Sequence, residues 1–421
     1  MNQLKRKSNP FINFLRRPIR ETCQKGLSVL FRKCRTLLLI VLAIPVVVLV
    51  RALQPLVLIR FGRLESRRIG HFIENTEIYL SERDGGMHDH RTFDIFYHYL
   101  PISNYQVKKM WERTGRLCIS PFTAFTQAID RFNRLLPGGQ RHTISPSARD
   151  VYGLRAHTKP YLSFTPEEER LGRRELQKLG IFDGAPFVCF HARDSAYLDT
   201  TYLNYRWRYQ DFRDSSIHNY ISAAEELAHR GYFMFRMGTV VKKALHSNNP
   251  RIIDYATNAR TDFLDIYLSA KCRFFICDTA GISSAPTAFK RPIAWVNYIR
   301  LGYIPSGVVK NLLIPKKLWL CKEHRFLTFR EILDSDIGRF NKAEEYEQVG
   351  IEPVENTPEE IVALAVEMDE RLKGKWQTTE EDEELQRRFY ALLNPCNLNL
   401  KQIVIPRIGA EFLRQNPGFL E

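Results

Sequence analysis

Cysteine is sparse and scattered: eight residues in 421, at Cys23, Cys34, Cys118, Cys189, Cys272, Cys277, Cys321 and Cys396, with no C-x-x-C pair. That excludes a disulfide scaffold and a zinc-finger module. It fits reduced, mostly buried thiols in a reducing compartment. No N-x-S/T sequon occurs, which argues against a glycosylated lumenal protein. There is no G-x-x-x-x-G-K-[ST] loop, no G-x-S-x-G elbow and no H-E-x-x-H, so P-loop, serine-hydrolase and zincin chemistries fall away. No D-x-D follows a strand-like run in the middle of the chain, and Asp334-Ser-Asp336 falls in a helical pattern as a surface pair. His88-Asp89-His90, in a loop, is a weak metal signal. Metal-clamped nucleotide chemistry has little support, and neither metal nor cofactor is expected.

Acidic residues are scarce in one place. Only two of the 47 Asp/Glu (Glu21 and Glu65) but fifteen of the 62 Lys/Arg fall in residues 1–70, so that stretch holds +13 of the net +15. The rest is almost neutral, which argues against a nucleic-acid-binding body. Long apolar runs are absent with one exception, Leu37 to Val50. Its fourteen residues cover about 21 Å as a helix, short of a hydrocarbon core of roughly 30 Å. Continuing to Ile59 reaches spanning length but takes in Arg51, Gln54 and Pro55. Ten Lys/Arg precede the run, from Lys5 to Arg35, and five follow it (Arg51, Arg60, Arg63, Arg67, Arg68). Basic charge on both flanks favours a monotopic segment on an anionic cytoplasmic leaflet, ahead of a single span or a buried core segment. The run starts too late, with no A-x-A-like site after it, for a cleaved signal peptide.

What is present is αβ alternation. Strands are expected at Leu56–Phe61, Thr92–Tyr99 and Leu117–Ser120, with helices at Ser66–Leu80, Asn104–Arg113 and Phe122–Leu136. Thr165-Pro166-Glu167-Glu168 is a capping box, and Thr328-x-x-Glu331 and Thr357-Pro358-Glu359-Glu360 are two more. Between them run strands Phe187–His191, Tyr232–Met237, Arg251–Tyr255, Cys272–Cys277 and Ile293–Asn297, with helices Ser215–His229, Thr261–Lys271 and Ile282–Phe289. Strands alternating with helices imply right-handed crossovers and parallel sheets. The expected organisation is a basic, membrane-associated arm (1–55), an αβ domain (56–164), a second αβ domain (165–340) and C-terminal helices packing back (341–421). The fold class is α/β: two facing doubly wound αβα domains with a cleft between them.

Ligands in such sheets sit at the carboxyl ends of strands. There the strand Phe187–His191 delivers His191, Arg193 and Asp194, with a guanidinium fork suited to phosphate. A strand-end ion pair of Arg193 with Asp194 or Asp214 is the bland alternative. Arg236 and Gly238 end another strand, and Asp254 and Tyr255 a third. Asp278-Thr279-Ala280-Gly281-Ile282-Ser283 leads from a buried strand into a helix whose first N–H groups are unsatisfied, which can hold a diphosphate without a metal. A plain helix cap is the bland alternative. Near the N-terminus, Gly70, His71, Asn75 and Glu77 fall on or near a helix, and His71 is a candidate general base, though a single His on a helix is more often structural.

The strings RFGRLESRRIGHFIENTEIYLSERD, VCFHARDSAYL, RDSSIHNYISA, GYFMFRMG, RIIDYA, CRFFICDTAGISSAPTAF and IGAEFLRQNPGFL resemble a family of bacterial glycosyltransferases encoded among surface-polysaccharide genes. The likeness runs from about Leu56 to the C-terminus. Its second half is similar to GT-B enzymes, including the protein O-fucosyltransferase group, whose H-x-R motif after a strand binds the donor phosphates. His191 and Arg193 fit that motif. Ala280 stands where the family commonly has Ser, which removes one hydroxyl donor. The resemblance implies a GT-B-like, metal-independent transferase that moves sugar from a nucleotide-sugar to a glycan or lipid-linked acceptor at the cytoplasmic face of the inner membrane. Arg193, Arg236 and the Thr279–Ile282 turn would stabilise the leaving diphosphate, Asp254 and Tyr255 would contact base or ribose, and His71 or Glu77 would assist the acceptor hydroxyl. Two other classes stand beside it: a non-catalytic membrane-associated binding protein with a degenerate transferase fold, and a nucleic-acid binder using residues 1–35.

Overall fold

The computed structural model describes residues 27–201, 208–305, 307–393 and 404–421. The basic residues from Lys5 to Lys25, and Cys23 and Cys396, lie outside the described residues. The chain divides into two compact units, one of residues 1–64, 88–99 and 117–145 and one of residues 65–87, 100–116 and 146–421.

The first unit is built on a parallel sheet of β1 (Leu58–Leu64), β2 (Thr92–His98), β3 (Cys118–Ile119) and β4 (Thr143–Ile144), in the order β3-β2-β1-β4. The first strand begins at Leu58, two residues later than expected, because residues 53–57 turn through Pro55. Gly62 is needed where it stands: a Cβ there would meet the Phe96 ring at 2.7 Å. Arg60 pairs bidentately with Asp94 (2.6 and 2.7 Å) and meets His88 Nδ1 at 3.0 Å. The helix Leu27–Ala52 lays Ala43, Val47 and Val50 against Phe61, Ala128 and Ile129, the last two on the helix Thr123–Leu135. Its stretch Cys34–Ala52 is long and apolar enough to cross a membrane.

The second unit carries a seven-stranded, all-parallel sheet. In chain order its strands are β5 (Phe187–His191), β6 (Phe233–Arg236), β7 (Ile252–Ile253), β8 (Phe275–Cys277), β9 (Ile293–Tyr298), β10 (Leu312–Pro315) and the later β14 (Arg407–Ile408). A small antiparallel sheet of β11 (Lys317–Leu320), β12 (Arg325–Phe326) and β13 (Ile351–Val354) adjoins it in sequence. The large sheet is ordered β14-β10-β9-β8-β5-β6-β7. The chain builds outward from β5 through β6 and β7, then returns to β5's other side with β8 and builds outward again. The direction of winding therefore reverses between β5 and β8, which leaves a crevice at their carboxyl ends. The buried strand runs pack between helices in one apolar core that also takes in Ile361, Leu364 and Phe389 of the C-terminal helices.

Local chemistry sets the boundaries. Thr165, Thr328 and Thr357 each form the expected capping box, and Thr379 forms a fourth with Asp382. The strand expected over Arg251–Tyr255 shrinks to two residues. Asp254 turns the chain by accepting the Leu245 N–H (2.8 Å) and the Thr257 hydroxyl (2.7 Å), and Tyr255 opens a helical turn. The helix expected over Ile282–Phe289 is split into a 3-10 turn, Gly281–Ser283, and a short helix, Ser284–Ala288. Of the six described cysteines, all free, Cys189, Cys272 and Cys277 are buried and Cys34, Cys118 and Cys321 exposed. The expectation of buried thiols thus holds only inside the large sheet and its edges.

Candidate active site

At the β5/β8 reversal lies a cavity of about 690 Å³, lined entirely by the second unit. Strand β5 ends at His191. Its Nδ1 lies 2.8 Å from the Met237 carbonyl. A carbonyl only accepts, so Nδ1 carries the proton and Nε2 is the ring's remaining acceptor. Gly238 follows under tight constraint: a Cβ would come within 2.7 Å of Val241 and 3.8 Å of His191 Nδ1.

Two residues on, Arg193 is nearly buried and lines the cavity. Its backbone N–H donates to Asp278 Oδ2 at 2.7 Å, and its guanidinium donates to the Gln210 carbonyl at 3.1 Å and to the Asp214 carboxylate. Burial lowers its pKa, opposed by Asp278, Asp211 and Asp194. Asp278, fully buried just after β8, also accepts the Ser215 hydroxyl at 2.7 Å, while its Oδ1 has no hydrogen-bond partner. Asp278 thus ties the β5 loop to the β8 loop. Asp194 accepts the N–H groups of Ala196 and Lys242, each at 2.9 Å, and borders the cavity.

The Thr279–Ser283 turn faces the same space. Ser283 donates its hydroxyl back to the Ala280 carbonyl at 2.6 Å, so that donor is already engaged. Thr279 is held by a residue that the sequence reading passed over, Arg213. Arg213 Nε donates to Thr279 Oγ1 at 3.2 Å, Nη2 to the Thr279 carbonyl and Nη1 to Gln210 Oε1 at 2.9 Å. All three partners are neutral oxygens. Burial, then repulsion from Arg193 and Arg300, pushes its pKa down to about 9.

The helix Ile69–Asp84 starts at the same cavity. A Cβ on Gly70 would lie 3.0 Å from Gly281 Cα and 3.2 Å from its carbonyl oxygen, so a larger residue would press this helix start against the turn. Gly70 and His71 line the cavity, and His71 Nδ1 lies 3.3 Å from Asn75 Oδ1. Asn75 is buried and does not border the cavity.

Besides Asn75, four more expected site residues are placed elsewhere: Glu77, Arg236, Asp254 and Tyr255. Glu77 is buried, bonded to Arg155 at 2.6 and 3.1 Å and to Lys290 at 2.9 Å. The acid of this helix that does line the cavity is Glu74, which Arg155 and Ser284 contact at 3.0 and 3.4 Å. Arg236 pairs with Asp254 at 3.0 Å inside the core, because the β5–β6 register sets it beside Phe190 rather than His191. Tyr255 is fully buried, its hydroxyl 2.9 Å from Asp265 Oδ1 and 3.0 Å from the Thr261 carbonyl.

No protein-family model and no curated protein matches the chain. The family resemblance therefore rests on its motifs alone. Among solved structures, a glycosyl transferase family 9 protein from Veillonella parvula matches with a TM-score of 0.38 at 10% identity, over 62% of this chain and 86% of that one. The ADP-heptose heptosyltransferase II of E. coli gives 0.38 at 11% identity, over 61% and 90%. An iron-containing dodecameric glycosyltransferase from enterotoxigenic E. coli gives 0.33 at 10%, over 58% and 61%.

Beyond Arg213 and Glu74, Arg149, Arg300, Tyr298 and Tyr303 also line the cavity and carry no motif. Arg149 and the Tyr303 ring are 3.3 Å apart, cation over face. The one available signal was charge density: Arg208–Asp214 (RYQDFRD) packs two arginines and two aspartates into the loop between a strand end and a helix. What the lining offers is fixed positive charge at two strand ends, with an imidazole and a carboxylate bordering the same space.

Proposed function

We propose that the chain is a glycosyltransferase that moves a sugar from a nucleotide-sugar to an acceptor at a membrane surface, with the diphosphate held by protein groups rather than a metal. One observation carries the reading. Arg193, the Thr279 turn and Arg213 converge at the β5/β8 reversal, and Arg213 has no carboxylate partner among the described residues. A partly buried guanidinium held against neutral oxygens is poised for an anion that arrives later. As the sugar's bond to the diphosphate breaks, negative charge grows on the leaving oxygen, and cations already in place favour that departure. The acceptor hydroxyl must lose a proton as it attacks. His71 and Glu74, one helical turn apart on the cavity wall, are the groups positioned to take it.

For membrane attachment, the half-docked helix Leu27–Ala52 favours a monotopic arrangement. One face packs on its own unit, while Leu38, Val41 and Val48 on the other are more than half exposed. Arg51 ties its end to Asn133 Oδ1 (2.8 Å) and the Pro137 carbonyl (2.9 Å).

The test uses the full chain in detergent and a panel of nucleotide-sugars. Arg193→Ala should abolish turnover with the fold intact, and EDTA should leave the wild type active. Full activity in the variant rejects the assigned role; strong EDTA inhibition rejects the metal-free claim. If no nucleotide binds at all, the chain is a binding protein and not a transferase.

A further inference from the structure

Six arginines line the cavity against four acids, Glu74, Asp150, Asp194 and Asp265. Arg193 is paired with Asp214, and Arg339 lies 3.9 Å from Asp336. Among the described residues, Arg213, Arg149 and Arg300 have no carboxylate partner.

The surplus has its own place. Arg213 is tied to the turn after β8, whereas Arg300 follows β9, the next strand along the sheet, about 4.8 Å further from β5. The Arg149 and Arg300 guanidiniums lie 3.3 and 6.0 Å from the centre of one ring, Tyr303. Arg300 donates Nη1 to Asn341 Oδ1 at 2.8 Å, while its Nε is buried with no partner. Two like charges near one aromatic ring repel, and an anion bound by both would offset that repulsion.

We propose that Arg149 and Arg300, gathered at the Tyr303 ring, hold a phosphate group carried by the acceptor. The proposal rests on the transfer reading above and narrows its acceptor to a phosphorylated one, either a sugar phosphate or a polyprenyl phosphate. A phosphate presents several acceptor oxygens to two forks of donors, a match that a neutral hydroxyl does not offer.

The experiment is calorimetry on the full chain in detergent, first with UDP, GDP and ADP, then with phosphate probes added to the nucleotide-saturated protein. The probes are glucose 6-phosphate against glucose and farnesyl phosphate against farnesol. One phosphate of the pair should bind and its neutral counterpart should not, and which one binds identifies the source. Arg149→Ala and Arg300→Ala should each weaken that probe by about tenfold or more, as for loss of a charge-assisted contact. Nucleoside diphosphate affinity should stay within about twofold. Two results overturn the proposal: neither phosphate probe binds the wild type, or the variants weaken nucleotide as much as probe, which makes both arginines donor contacts. If the wild type binds no nucleotide, the transfer reading fails separately. The probes are then titrated alone, and loss of binding in the two variants still establishes the phosphate site.

Discussion

Arg213 is an unfavourable charge in the unliganded fold. Its pKa falls to about 9, well below the ordinary guanidinium value, through burial and then the neighbouring guanidiniums. For a basic group whose folded pKa is depressed, the unfolded chain binds more protons between those values, so folding is penalised at neutral pH and the penalty fades as pH climbs through about 9. Arg213→Gln should therefore raise the Tm of the free protein at pH 7, and that gap should close above about pH 9. If nucleotide binds as proposed and raises the wild-type Tm, the same variant should lose that rise, because the anion has lost its cation. A free-protein Tm that drops in Arg213→Gln would show the charge to be a structural anchor. At this scale little of the site was legible in the sequence. His191, Arg193 and the Thr279 turn stand where a strand run stops, and strand runs are visible. Arg213 and Arg300 sit in segments without period. Glu74 and Glu77 were separable only by helical phase: three residues on from His71 keeps to one face, and six turns away from it. Strand phase likewise sent Arg236 inward beside Phe190.

At the scale of elements, the helix Ile69–Asp84 is positioned by charge buried behind it. Arg155 is buried between Glu77 and Glu74; burial disfavours its charge, but those carboxylates outweigh the penalty and hold its pKa above the ordinary value. Lys290 reaches the same Glu77 at 2.9 Å. Glu77→Gln leaves the buried Arg155 and the part-buried Lys290 facing a neutral amide, with Glu74 the remaining partner of Arg155, and should cost about 3 kcal/mol, read as a lower denaturant midpoint at unchanged slope. Gly70→Ala tests the other end of this helix. Its methyl group meets the Gly281 backbone, so the helix start and His71 must shift. Turnover should fall by about tenfold or more while Tm changes little, since nothing buried is removed. A large Tm loss with normal specific activity would mean that the contact is merely structural. The elements themselves were readable where local signals were strong: apolar runs for β5, β8 and β9, and Thr-x-x-Glu boxes for three helices. They were misread at Asp254 and Ser283, where side chains bond back to the chain and redirect it.

For the whole molecule, αβ alternation made parallel sheets predictable, but strand order was out of reach, because it depends on which side of β5 the chain returns to. The proposed membrane attachment was readable as a hydrophobic run with basic flanks. The fold adds which face of that run is already committed. Ala43 and Val47 are fully buried against the first unit's own core, so polar replacements there should destabilise the protein by about 2–5 kcal/mol and leave aggregates. Leu38, Val41 and Val48 are exposed, so replacing all three with Gln should leave Tm within about 2 °C of the wild type while removing apolar area available to lipid. In flotation with vesicles containing phosphatidylserine, the wild type should rise with the lipid and the triple variant should stay below. Binding should weaken with salt if the basic flanks contribute, because their attraction to an anionic surface is screened. A wild type that resists alkaline carbonate extraction from cell membranes would establish a true span, and with it a helix that leaves its packing on Phe61, Ala128 and Ile129 to enter the bilayer.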